Sequence, residues 1–171
     1  MKKMICAPGS YIQGSGELGN LAEYCRAVGG NGAYLIVSKS AYAAWKERID
    51  GGFQKSGMPY AVEHFGGECC REEICKHLEQ SKNYDVIVGI GGGKVLDTAK
   101  AAAFYAQKRV IIAPTIASTD APCSRLAVIY SDQGVYECAL ALRSNPDIVL
   151  ADTEIIAKAP VRFLTAGIGD G

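Results

Sequence analysis

The run Asp85-Val-Ile-Val-Gly-Ile-Gly-Gly-Gly-Lys94 carries a β-rich stretch into Gly89, Gly91, Gly92 and Gly93, and the Ala-rich segment 94–107 follows at once. Glycines at such a junction let the backbone turn sharply and approach a ligand with no Cβ in the way. The first N–H groups of the following helix, together with its dipole, form an anion site, to which Lys94 adds a full positive charge. A pyrophosphate is the natural occupant. The turn matches neither common phosphate fingerprint. Counting from Gly89, the last glycine of GxGxxG is replaced by Lys94. In the register of GxxxxGK[ST], Val88 stands for the first glycine and Val95 for the hydroxyl that would hold magnesium. A tight strand–helix connection that needs glycine only for packing is the plain alternative. Four glycines and a lysine at one junction favour ligand binding.

A second polar segment, APTIASTDAPCS at 113–124, follows the next apolar run. It falls beyond the carboxyl end of an expected parallel strand, where open α/β sheets place their ligands. Pro114 and Pro122 stiffen it, and Thr115, Ser118, Thr119, Asp120 and Ser124 supply hydrogen-bonding groups. A surface turn with Asp120 closing an Asx-turn fits these residues equally well. The two histidines, His64 and His77, lie outside both segments, and each reads as a surface or packed side chain.

The elements that must position these groups alternate along the chain. Apolar runs at 34–37, 85–90, 109–113 and 147–151 are continuous rather than alternating, which marks strands buried on both faces of a parallel sheet. A weaker strand is expected at 60–65, and 126–130 with 134–142 could pair as a hairpin across Ser131-Asp-Gln-Gly134. Leu18, Leu21, Ala22 and Cys25 form one helical stripe, and Ile74 and Leu78 a shorter one on 72–81. Thr153 is read as the cap of a helix at 154–159, with Pro160 opening a new turn. Strand, helix, strand in repetition predicts right-handed βαβ units: an α/β fold with a Rossmann-like, mostly parallel sheet flanked by helices and a small β-hairpin.

Composition narrows the function classes. Eighteen basic residues balance eighteen acidic ones, so no net field draws the chain to nucleic acid or an anionic membrane. No apolar run approaches the roughly 20 residues that span a bilayer, and Pro8 and Gly9 interrupt the start before a signal core forms. Seven cysteines, with no CxxC, fit a reducing compartment, so a cytoplasmic location is expected.

APTIASTDAPCS with Leu126-Ala-Val-Ile-Tyr130, GIGGGKVLDTAKA and the terminal NPDIVLADTEIIAKAPVRFLTAGIGDG together resemble the glycerol dehydrogenases of the iron-containing alcohol dehydrogenase superfamily. APGSYIQG and Phe65-Gly-Gly-Glu-Cys69 resemble them too. The resemblance implies that residues 1–171 are a nucleotide-binding α/β domain, followed in the family by a helical domain. It implies oxidation of glycerol, or a similar small polyol, to dihydroxyacetone with NAD, and many members use zinc. In that chemistry zinc holds the alcohol oxygen and favours its alkoxide while hydride leaves for the nicotinamide ring. Carried over by motif, Gly91, Gly92, Gly93 and Lys94 contact the cofactor phosphates, and Thr115 and Ser118 line its groove. Ser124, Leu126 and Tyr130 flank the nicotinamide side, Asp120 sits beside the substrate hydroxyls, and Asp170 is a zinc ligand.

Two departures from the family shape the expectations. The family draws two further zinc-binding histidines from its helical domain, whereas these residues stop just after Asp170, so the expected metal site is incomplete and the expected behaviour is nucleotide binding without turnover. NAD-dependent members also place an Asp after the first strand to bind ribose hydroxyls, and an ungapped reading puts Lys39 there. A lysine cannot accept from hydroxyls and would attract a 2′-phosphate, which keeps NADP open beside NAD. Phe163, Leu164 and Ile168 read as residues seeking cover, which a homo-oligomer or the missing C-terminal domain could supply. A non-catalytic nucleotide-binding fragment is the competing reading. So is the related chemistry of dehydroquinate synthase or glycerol-1-phosphate dehydrogenase.

Overall fold

The computed structural model describes residues 5–170. Six strands form one parallel sheet: β1 (Ser10–Gly14), β2 (Ala33–Val37), β3 (Tyr60–His64), β4 (Val86–Gly91), β5 (Arg109–Pro114) and β8 (Ile148–Asp152), in the order β1-β8-β5-β4-β2-β3. Strands β6 (Leu126–Tyr130) and β7 (Tyr136–Ala141) pair antiparallel as a separate hairpin. The helices are α1 (Leu21–Ala27), preceded by a 3-10 turn at Glu17–Asn20, α2 (Lys39–Ser56), α3 (Arg71–Gln80), α4 (Gly93–Ala106), α5 (Thr153–Lys158) and α6 (Val161–Asp170).

Every residue of β2, β4 and β8 is buried, as their unbroken apolar sequences require of strands covered on both faces. The pleat divides them between two layers. Leu35, Val37, Val88 and Ile90 pack with Leu18, Leu21, Ile49 and Phe53 from the 3-10 turn, α1 and α2. Tyr34, Ile36, Ile87 and Ile112 face Val95, Leu96, Ala99 and Ala103 of α4 on the opposite side. A Cβ on Gly89 would lie 2.7 Å from the Ala99 Cβ, so glycine lets α4 rest directly on β4. The hairpin closes a third cluster, in which Ala127 and Ile129 meet Cys69, Ile74 and Ala101.

Three features differ from the sequence reading. β1 has no counterpart in it: the segment is short and largely exposed, and it is held by parallel pairing to β8. α2 is absent from it as well, because its buried positions (Ala41, Ile49 and Phe53) are sparse and Gly51-Gly52 interrupt it. Gly52 is a packing requirement, since a Cβ there would lie 2.2 Å from the Gly19 carbonyl oxygen. The cap of α5 is Asp152, not Thr153. The Asp152 carboxylate accepts from Glu154 N (3.1 Å), and also from Gly16 N and Leu18 N, so a buried acid ties two segments together. No helix among the described residues is long and apolar enough to cross a membrane.

Candidate active site

The chain leaves β2 for β3 on one side and leaves β4 for β5 on the other, so the connections from these adjacent strands diverge and open a crevice beyond the carboxyl ends of β2 and β4. Ser38 N donates to Ile90 O (3.1 Å) and fastens the floor of that crevice. The glycine turn forms one wall. Gly91 has φ +158°, and a Cβ there would lie 2.8 Å from Val95 Cγ2, while one on Gly92 would lie 3.1 Å from Ile116 Cδ1. At Gly93 nothing comes within 3.8 Å, leaving space open above the helix start. Gly92 provides no side-chain cap for α4, and the amides of Gly93 and Lys94 meet no protein acceptor among the described residues. These are donors at a positive helix end, in a turn packed tightly against Val95 and Ile116 and open at Gly93. The arrangement fits the diphosphate of a dinucleotide.

The Lys94 ammonium lies 2.5 Å from Glu68 Oε2 and 5.2 Å from the centroid of the Tyr130 ring. Tyr130 is half-buried and meets Tyr136 edge to face. Lys39 is the first residue of α2, exposed and without an acidic partner among the described residues. Ser38, not Lys39, caps that helix, accepting from Ala41 N (3.2 Å).

The second polar segment is braced from beneath. Thr115 N donates to Gly91 O (3.0 Å), joining it to the glycine turn. Lys100 of α4 is fully buried, and its ammonium donates to Ala121 O (2.8 Å), Leu126 O (2.5 Å) and Ser124 Oγ (3.3 Å). Those bonds use its three protons. Asp97 Oδ1, 2.8 Å away, therefore receives charge but no well-directed hydrogen bond, while Asp97 Oδ2 accepts from Val128 N (3.0 Å). Burial raises the Asp97 carboxyl above its ordinary range, against the pull of Lys100. Ser124 is thus engaged within its own loop, and Leu126 exposes its side chain while its carbonyl is held. Neither Asp97 nor Lys100 was signalled by the motifs. Their three-residue spacing on a helix was the available clue.

Asp120 and Asp170, fifty residues apart in sequence, come together: Asp120 N donates to Asp170 Oδ2 (3.0 Å). Thr119, not Asp120, closes the local turn with its hydroxyl, accepting from Ala121 N (3.2 Å). The Asp120 side chain is left exposed. Helix α6 can bring Asp170 here because a Cβ on Gly167 would lie 2.4 Å from Ala117 O, so only glycine permits the approach. Beside them opens a cleft of about 430 Å³ lined by Pro114, Ile116, Thr119, Asp120, Phe163 and Leu164, among others. Ser118 lies half-buried on the same segment.

The histidines do not join this site. His77 is buried between Tyr34 Oη (2.8 Å from Nδ1) and Glu73 Oε1 (2.9 Å from Nε2), and burial lowers its pKa. His64 is exposed at the end of β3, edge-on to Tyr42. Among the described residues no three His, Cys, Asp or Glu side chains form a group that could hold a metal. Asp170 is therefore at most one ligand, and the residues present do not complete a metal site. Burial pushes the Cys69 thiol up to about 12, away from the thiolate form.

Comparison with known proteins agrees with the geometry. The chain is 43% identical over 173 residues to a glycerol dehydrogenase of Escherichia coli O6:H1, covering 99% of this chain and 47% of that protein. It is 48% identical over 165 residues to a glycerol dehydrogenase of Thermotoga maritima, covering 95% and 44% respectively. A crystal structure of a probable glycerol dehydrogenase from Sinorhizobium meliloti 1021 superposes with a TM-score of 0.90 at 45% identity, covering 99% of this chain and 46% of that one. The chain thus spans slightly under half the length of the relatives it matches. These relatives suggest a nucleotide cofactor and a metal. Residues 8–153 match the family description "Iron-containing alcohol dehydrogenase", and the chain belongs to the iron-containing alcohol dehydrogenase family.

Proposed function

We propose that these residues form the cofactor-binding part of an NAD-dependent polyol dehydrogenase acting on glycerol or a similar small polyol. The observation that carries this reading is the start of α4, where the amides of Gly93 and Lys94 meet no protein acceptor among the described residues and the space at Gly93 is open. In it the amides of Gly93 and Lys94 hold the diphosphate and the Lys94 ammonium balances its charge. Thr115 and Ser118 border the groove, and Ser124, Leu126 and Tyr130 border the nicotinamide end. When bound, the dinucleotide supplies the hydride acceptor. Asp120, exposed at the mouth of the cleft, accepts hydrogen bonds from substrate hydroxyls, and Asp170 beside it contributes a carboxylate toward the family's metal. With no complete metal site among the described residues, the chain alone binds nucleotide without turning over polyol. Seven free thiols accord with work in the cytoplasm.

The test is calorimetric titration of the 171-residue chain with NAD and NADP, followed by an assay for glycerol oxidation with added zinc. Saturable NAD binding without oxidation is the expected result, and zinc-dependent turnover overturns the second half. Lys39, exposed and unpaired among the described residues, supports a 2′-phosphate reading, so a clear preference for NADP replaces NAD as the cofactor.

A further inference from the structure

We infer that Glu68 is a positioning residue of the cofactor site, tuning dinucleotide affinity by holding Lys94 until a diphosphate displaces it. This rests on the cofactor reading above. Lysine in the first turn of a helix opposes the dipole, so a negative partner is favoured there whether or not ligand is present. Glu68 is that partner: its Oε2 lies 2.5 Å from Lys94 Nζ, and no second cation pairs with it among the described residues. The two partners are unequal in freedom. The Glu68 side chain is 16% exposed, and its Oε1 accepts from its neighbour's amide, Cys69 N (3.0 Å). Its loop is pinned to the hairpin, since Tyr130 N donates to Cys69 O (2.8 Å). Lys94 is 51% exposed, on a flexible stem above Tyr130. A diphosphate at the amides of Gly93 and Lys94 thus competes with a fixed carboxylate for a movable ammonium. Binding leaves Glu68 part-buried and unpaired.

The experiment measures dissociation constants of NAD, ADP-ribose and adenosine for the wild-type chain, Glu68→Gln, Lys94→Gln and the double variant. Gln keeps the Oε1 acceptor, and unchanged urea midpoints establish that each variant folds. Because a half-exposed ion pair is weak, Glu68→Gln should tighten NAD and ADP-ribose by about two- to fivefold. Adenosine, lacking phosphate, should be unaffected, and the gain should vanish in the Lys94→Gln background. If Lys94→Gln weakens NAD but Glu68→Gln does not tighten it, the competition is refuted while the cofactor site stands. If Lys94→Gln leaves NAD binding unchanged, the lysine does not meet the phosphates, and both readings fall at this residue.

Discussion

Replacing Lys100 by methionine tests whether α4 holds the 113–126 segment. Methionine matches much of the lysine stem, so the change removes charge and donors with little loss of volume. Four groups lose their partner: the carbonyls of Ala121 and Leu126, the Ser124 hydroxyl, and the Asp97 carboxylate 2.8 Å away. Lys100 is fully buried and the Asp97 side chain only 10% exposed, so solvent screens the loss poorly. Removing one member of a buried pair costs about 3–5 kcal/mol. Against a total stability of about 5–15 kcal/mol, that is a large fraction. With a urea dependence of about 1–3 kcal/mol per molar, the unfolding midpoint should fall by about 2 M. Trp45 fluorescence and circular dichroism in urea follow it.

A second arm separates charge from packing. Asp97 is already raised by burial, and without Lys100 it takes a proton more readily. A folded-state pKa above the unfolded value means stability falls as pH rises through the interval between them, so acidification should shrink the Lys100→Met deficit. Asp97→Asn in the Lys100→Met background should recover part of the loss at neutral pH for the same reason. A Lys100→Met chain within about 1 kcal/mol of wild type, a change typical of ordinary sites, refutes the bracing role.

Other consequences follow from the same geometry. His77 is held neutral by burial, with its pKa below 6.5, so its stabilising contribution is complete above pH 6.5 and is lost as pH falls through the lower folded value; His77→Phe should flatten stability against pH in that interval, and an unchanged slope refutes the assignment. Gly91→Ala places a methyl 2.8 Å from Val95 Cγ2. It should cost about 1–3 kcal/mol and weaken NAD more than adenosine, and equal affinity for NAD refutes the cradle. Val161 and Ile168 are each 76% exposed and Leu164 49%, along one side of α6, so light scattering should show concentration-dependent association that Val161→Glu with Ile168→Glu abolishes. A monodisperse wild-type monomer at high concentration refutes that.

Legibility in the sequence followed burial. β2, β4, β5 and β8 announced themselves because strands covered on both faces must be apolar throughout, and Gly89 to Lys94 because few other needs gather glycines at a strand end. β1 stayed hidden because an exposed edge strand carries Ser10, Tyr11 and Gln13 with no apolar run to mark it. α2 stayed hidden because its tight packing uses Gly52 where pattern reading expects a break. At the site, motif residues were visible and their supports were not. Nothing local distinguishes Lys100 from the other lysines on helices, Glu68 from a solvated acid, or Gly167 from a helix-weakening glycine. Their significance lies in partners dozens of residues away.

Helix α4 gives these separate contacts a common frame. Its first turn forms the cradle, Asp97 on the next turn holds β6 through Val128 N, and Lys100 holds the loop that carries Asp120. The spacing between the Gly93 and Lys94 amides and the 113–124 loop is therefore set along one rigid element resting on β4 through Gly89 and Ala99, not by the loops themselves. On the proposed reading these are the cofactor and substrate sides of one site, and a rigid helix joining them keeps errors in their relative placement small. Any change that tilts α4 should accordingly weaken NAD binding and loosen the 113–124 loop together.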